Sequence, residues 1–333
     1  MSHPLFTPWL IPGVAALAAL GPRPRKPDLR LNLPSVPRNP ADACAWLAAK
    51  EARFAVRPDN QARILWAAKF GEATPLVFVY LHGYTATWRE GAPVHLDTAR
   101  RYGANLLLTR LAGHGLVTEE PLLDVQAEEW WADAQEALAL AGSLGAKVVL
   151  MATSSGAPLA LRLAALAPER VHALVLYSAN IRIRQPGSRL MSWPWGLYVA
   201  RLVKGGRYNT WDEGPEAARY WYDRSRLEGA VQLQALLDVS TRAQDFKPVR
   251  QPLYAAAYYR DARRRDPTVE VWAQRWMFGQ VSTPTQAKRF QEFPDATHHI
   301  LPCDWMNRDW RSVRQGTWDF LEQVVGLKPA VSA

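Results

Sequence analysis

Residues 146–158, AKVVLMATSSGAP, carry a serine in a setting built for chemistry. The apolar run at 148–151 leads into a tight turn of small residues centred on Ser154, and the following LALRLAA (159–165) consists of strong helix formers. Strand, sharp turn, serine and helix make a nucleophile elbow. The turn exposes the serine oxygen, and the helix N-terminus behind it favours developing negative charge. Small residues two positions either side relieve crowding; here they are Ala152 and Gly156, with alanine where glycine is usual. A serine hydroxyl needs a base to take its proton, an acid to orient that base, and N–H donors for the oxyanion. His299, followed by the apolar Ile-Leu-Pro, is preferred as the base over His298, which reads as a supporting or exposed residue. Asp266 opens Asp-Pro-Thr-Val just ahead of a helical pattern and is preferred as the acid. Asp261 remains the alternative, equally suited to a solvated loop or a cap. The backbone N–H groups of Ser155 and of Tyr84 in LHGY are the oxyanion donors, with His82 and Gly83 supporting that loop. His114 in RLAGHG reads as architectural, and Glu90 and His95 as solvated residues at a helix start.

The elements that must hold these residues follow from the apolar pattern. Runs at 76–81, 105–110, 147–152, 172–178 and 253–259 are apolar without alternation, the mark of strands buried on both faces of a parallel sheet, and 288–293 reads as one further short strand. Helical patterns occupy 42–51, 91–102, 126–143, 155–167, 268–279 and 309–325. Two short strands are expected at 53–57 and 63–69, around the turn Pro58-Asp59-Asn60. About 70 residues separate the strands ending near 178 and starting near 253, too many for a structureless loop. This interval is rich in Trp and Tyr and reads as a helical cap insertion at about 180–250 over an apolar ligand pocket.

The chain has 333 residues, 48% of them hydrophobic, enough for a large core. Its net charge of +9 comes largely from scattered arginines. No reading helix, finger or aromatic RNA platform accompanies them, which argues against nucleic acid as a partner. Two cysteines, Cys44 and Cys303, give no zinc spacing, and whether they pair is open. Residues 5–20 are uncharged and apolar, followed by the basic cluster Arg23, Arg25 and Lys26. Sixteen residues broken by Pro8 and Pro12 fall short of the roughly 20 of a comfortable membrane span. The stretch reads first as a short anchor giving membrane association, and otherwise as an amphipathic arm or a cleaved signal. Residues 21–40 are a Pro/Arg-rich linker, so residues 1–40 stand apart from a main domain at 41–330.

LHGY, RLAGHG, ATSSG and the late Asp and His-His stand in the order of the α/β-hydrolase superfamily, which the chain resembles over about residues 53–325. GPRPRKPDL, YYRD, DPTV and FPDATHH are similar to a subgroup of bacterial esterase- or lysophospholipase-like hydrolases with an N-terminal hydrophobic anchor. The resemblance implies an α/β fold with a mostly parallel sheet flanked by helices, and a serine ester hydrolase acting through Ser154, His299 and Asp266. The aromatic cap and possible anchor favour a small ester or lipid substrate with an apolar acyl chain, no cofactor or metal is needed, and a membrane-associated or cytoplasmic setting is expected. A thioesterase or amidase on the same residues, or a non-catalytic binding protein, are the alternatives.

Overall fold

The computed structural model describes residues 20–330. The apolar stretch at 5–20 therefore lies, except for Leu20, outside the described residues. Seven strands form one sheet in the order β1-β3-β2-β4-β5-β8-β9. They are β1 (Arg63–Leu65), β2 (Thr74–Leu81), β3 (Asn105–Leu108), β4 (Gly145–Thr153), β5 (Ala173–Tyr177), β8 (Leu253–Tyr258) and β9 (Lys288–Phe293). Only the edge strand β1 runs antiparallel to its neighbour; every other pairing is parallel. The helices that return the chain are α1 (Pro40–Glu51), α2 (Val94–Arg101), α3 (Ala127–Leu144), α4 (Gly156–Leu166), α8 (Val271–Gln280) and α9 (Trp310–Gln323).

Side chains alternate across the sheet, and both faces are covered. Val77, Val79 and Leu81 of β2 and Leu150 and Ala152 of β4 join one core with α3, α4 and α8. Phe78 and Tyr80, with Val149 and Met151, point into a second core with α2 and α9. Burial on two sides is why these strands lack polar alternation in the sequence. Strands β2, β3, β4, β5, β8 and β9 of the main sheet lie where the sequence places them. The expected strand at 53–57 reduces to a single bridge, Val56 to Leu116, and the one at 63–69 to three residues. The reason is the partner: β3 is four residues long and offers register only to Arg63, Ile64 and Leu65.

Between β5 and β8 the chain leaves the sheet. This interval holds α5 (Gly196–Lys204), β6 (Tyr208–Thr210), β7 (Arg224–Arg226), α6 (Leu227–Ser240) and α7 (Ala243–Phe246). It is mainly helical, as expected, with a two-stranded antiparallel ribbon added where Gly205, Gly206, Gly214 and Pro215 interrupt helix formation. Residues 21–39 have no helix or strand, yet they are pinned along α3. Trp131 Nε1–H donates to the Arg30 carbonyl at 2.8 Å and Ser143 Oγ–H to that of Pro37 at 2.7 Å. Cys44 and Cys303 are free thiols, packed in different apolar clusters.

Candidate active site

The loops at the C-terminal ends of β2, β4, β5, β8 and β9 converge on one point. Ser154, directly after β4, has φ 51°, a left-handed conformation that costs a non-glycine residue energy and persists only where its surroundings fix it. They do so through β5 and the turn after it. Ser154 N–H donates to the Tyr177 carbonyl, and Asn180 N–H to the Ser154 carbonyl, each at 3.0 Å. Gly156 starts α4 so close to β2 that a Cβ there would lie 2.2 Å from the Leu81 carbonyl oxygen. That contact, more than backbone freedom, demands glycine. Ala152 occupies the other small position, fully buried in the sheet.

Ser154 Oγ and His299 Nε2 are 2.9 Å apart, and His299 Nδ1 and Asp266 Oδ2 are 2.7 Å apart. The bonding fixes the tautomer: Nδ1–H donates to the carboxylate, leaving Nε2 to accept the serine proton. Asp266 is wholly buried, and its Oδ1 accepts the backbone N–H groups of Thr268 at 2.8 Å and Val269 at 3.0 Å. Burial alone would raise its pKa, but the His299 charge, the bond to His299 and the two N–H donors hold it below the usual carboxylate value. The His299 pKa moves the opposite way. Burial lowers it, yet Asp266, by charge and hydrogen bond, and Glu90 raise it above its ordinary value. The backbone that carries the ring is held as well, because Ser178 Oγ–H donates to the His299 carbonyl at 2.6 Å.

The other pair of candidates lies elsewhere. Asp261 is exposed and bound by Arg264, with the backbone N–H groups of Arg263 and Arg264 on its Oδ1, and these contacts draw its pKa down to about 2. His298 turns toward the cap, its Nε2 3.3 Å from Glu213 and its Nδ1 accepting Ile300 N–H.

His82 is buried at the end of β2. Its Nε2 accepts Leu111 N–H at 3.0 Å, which leaves Nδ1–H to donate to the Gly83 carbonyl at 2.9 Å, so it braces its loop. His114 is buried against it, the ring centroids 4.9 Å apart. Among the described residues, the backbone N–H groups of Tyr84 and Ser155 have no protein acceptor. Gly83 N–H, in contrast, donates to Glu90 at 2.5 Å. Glu90 and His95 correct the expectation of solvated residues: they are 2% and 0% exposed. The 3-10 turn at Trp88–Gly91 carries Glu90 beneath the Gly83 loop, and His95 stacks edge-on to Tyr80. Ser178, Asn180 and Glu213 are not marked by the sequence, since single polar residues give no spacing signal.

A cavity of about 510 Å³ opens beside Ser154 and His299, with Leu190, Met191, Val199, Val203, Leu227 and Leu233 of the cap among its walls. Its character is apolar with a polar floor. Among the described residues, no three His, Cys, Asp or Glu side chains gather into a set able to hold a metal ion.

The sequence profile of the alpha/beta hydrolase family matches residues 76–309. The chain belongs to the alpha/beta hydrolase family. Solved structures agree on the fold of this hydrolase. A structure described with LipS and LipT, metagenome-derived lipolytic enzymes, is 15% identical with a TM-score of 0.65, covering 80% of this chain and 99% of its own. The monoacylglycerol lipase of Paleococcus ferrophilus is 13% identical with a TM-score of 0.58, covering 80% and 100%. Est1E of Butyrivibrio proteoclasticus with bound ferulic acid is 13% identical with a TM-score of 0.55, covering 80% and 95%. No curated protein matches the sequence of this hydrolase.

Proposed function

We propose that this hydrolase cleaves carboxylic esters through an acyl-enzyme on Ser154, with an apolar acyl chain seated under the cap. The observation that carries the reading is the hydrogen-bonded chain from Ser154 Oγ through His299 to Asp266, formed at a strained serine on the floor of an apolar cavity. His299 Nε2 takes the Ser154 proton as Oγ attacks the ester carbonyl. Asp266 holds the ring and stabilises the imidazolium. The Tyr84 and Ser155 N–H groups, which lack protein acceptors among the described residues, receive the oxyanion. His299 then protonates the leaving alcohol and activates the water that releases the acid. The lipolytic enzymes and the Paleococcus monoacylglycerol lipase share the fold and support the reaction class. The deciding experiment is p-nitrophenyl ester turnover from short to long acyl chains, for wild type and Ser154→Ala. We expect turnover that favours medium or long chains and a fall of about 1,000-fold or more in Ser154→Ala. A wild type inactive on every chain length and unlabelled by a fluorophosphonate would remove the reading.

We further propose a lipid surface as the place of work. Around α5 the cap exposes Trp193, Tyr198, Leu202 and Val203, the last two 83% and 74% exposed. Arg189, Lys204 and Arg207 are exposed in the same segment. Aromatic, aliphatic and cationic side chains presented together match the interface of an anionic bilayer.

A further inference from the structure

Glu90 is a buried carboxyl with no ion-pair partner among the described residues, set where the reaction needs rigidity. Its Oε2 accepts Gly83 N–H at 2.5 Å and the Tyr80 hydroxyl at 3.1 Å, and that hydroxyl lies 2.9 Å from Thr153 Oγ1. The carboxyl packs so tightly that a Cβ on Gly83 would sit 2.6 Å from Glu90 Oε1 and 3.0 Å from Ser154 Cβ. One end of this polar chain is the residue before Tyr84, and the other is the residue before Ser154. It therefore spans the gap between the two backbone segments whose N–H groups must meet one oxyanion.

We propose that Glu90 is a positioning residue for acyl transfer: with Tyr80 and Thr153 it fixes the Gly83-Tyr84 loop against the serine turn and so sets the oxyanion site. The inference rests on the reading of Ser154 as the nucleophile. A charged aspect accompanies the mechanical one. Burial pushes the Glu90 carboxyl up to about 7, against the pull of Gly83 N–H, His299 and Tyr80. The groups that face it are the Tyr80 hydroxyl of β2, Thr153 and Ser154 at the end of β4, and the His299 imidazole on the loop after β9. Beside Tyr80 are Cys303 and His95; burial keeps His95 neutral, its pKa about 3. Arg89, next in the chain, is turned to Asp304 at 2.6 Å. When ionised, Glu90 also favours the His299 imidazolium, though less than Asp266 does.

The test compares Glu90→Leu, Glu90→Gln and Tyr80→Phe with wild type by kcat, KM and pH profile on a soluble p-nitrophenyl ester, with folding followed by circular dichroism. Leucine leaves Gly83 N–H without an acceptor, so kcat should fall about 10- to 100-fold while KM stays within about threefold. Glutamine keeps the acceptor and should restore kcat to within about threefold of wild type. Lacking the charge, it should also move the acid limb of kcat/KM down by about half a pH unit or more. Tyr80→Phe removes the hydroxyl that joins Glu90 to Thr153 while leaving the Gly83 N–H bond to Glu90, and should lower kcat with little change in KM, which keeps the test open if Glu90→Leu fails to fold. A folded Glu90→Leu with wild-type kcat, or a Glu90→Gln whose kcat falls as far as that of Glu90→Leu, overturns the proposal while leaving the Ser154 reading intact. Wild type without turnover or fluorophosphonate labelling removes both.

Discussion

His299 is pulled in two directions, and the balance makes a prediction. Burial alone would drive its pKa below 6.5, whereas the Asp266 carboxylate, 2.7 Å from Nδ1, lifts it above that value. The base must be neutral to accept the Ser154 proton, so kcat/KM should rise with pH through a midpoint above 6.5. In Asp266→Asn the lifting charge is gone and burial prevails, so the midpoint moves to lower pH. The same change leaves the imidazole without an acceptor that fixes its tautomer, and kcat should drop by about 1,000- to 10,000-fold. Steady-state kinetics from pH 5 to 9 on both proteins checks the sign and the size; an acid limb that stays in place or moves up contradicts the assignment. Asp266 and His299 could be chosen in the sequence because their neighbours mark them: a helical pattern follows one and an apolar run the other. Glu90 could not. Its burial depends on how the turn after β2 folds back under Gly83, and a glutamate between Arg89 and Gly91 looks solvated in the sequence.

Among the elements, Gly156 is the residue that lets α4 start directly against β2 at the end of β4. A methyl group there would press to 2.2 Å from the Leu81 carbonyl and 2.9 Å from that of His82, both backbone atoms in the middle of the fold. Neither can yield as a flexible side chain would. Gly156→Ala should destabilise the protein by more than the roughly 1–3 kcal/mol of ordinary overpacking. It should lower Tm by about 5 °C or more and displace the serine turn, so that activity falls further than stability. Scanning calorimetry with fluorophosphonate labelling on the folded fraction separates the two effects; an unchanged Tm would contradict the tight contact of β2 with α4. The parallel strands were legible because burial on both faces strips them of polar positions. The ribbon of β6 and β7 was not, since three-residue strands carry no period, and the expected strand at 53–57 lacked a partner of sufficient length.

For the whole molecule, the cap turns one surface inward and another outward, and both are apolar. Val199 and Val203 of α5 wall the cavity, yet both also remain largely open to solvent, as do Leu202 and Trp193. The Pro/Arg-rich segment touches this same face, where Trp195 N–H donates to the Pro22 carbonyl at 2.9 Å. Among the described residues no helix is long and apolar enough to cross a membrane. Burying four such side chains at the headgroup boundary, with Arg189, Lys204 and Arg207 opposite anionic lipid, should give binding that weakens but does not vanish with salt. Flotation of the full chain on vesicles containing phosphatidylglycerol measures this directly. Replacing Trp193 and Leu202 by Glu should weaken vesicle binding by about tenfold or more, because each change removes apolar area and adds repulsion. Neither residue lines the cavity, so turnover of a short soluble ester should stay at the wild-type level while hydrolysis of vesicle-borne ester falls. Wild-type protein that stays with the aqueous phase, or a double variant that floats as well as wild type, would exclude the cap as the membrane-facing surface.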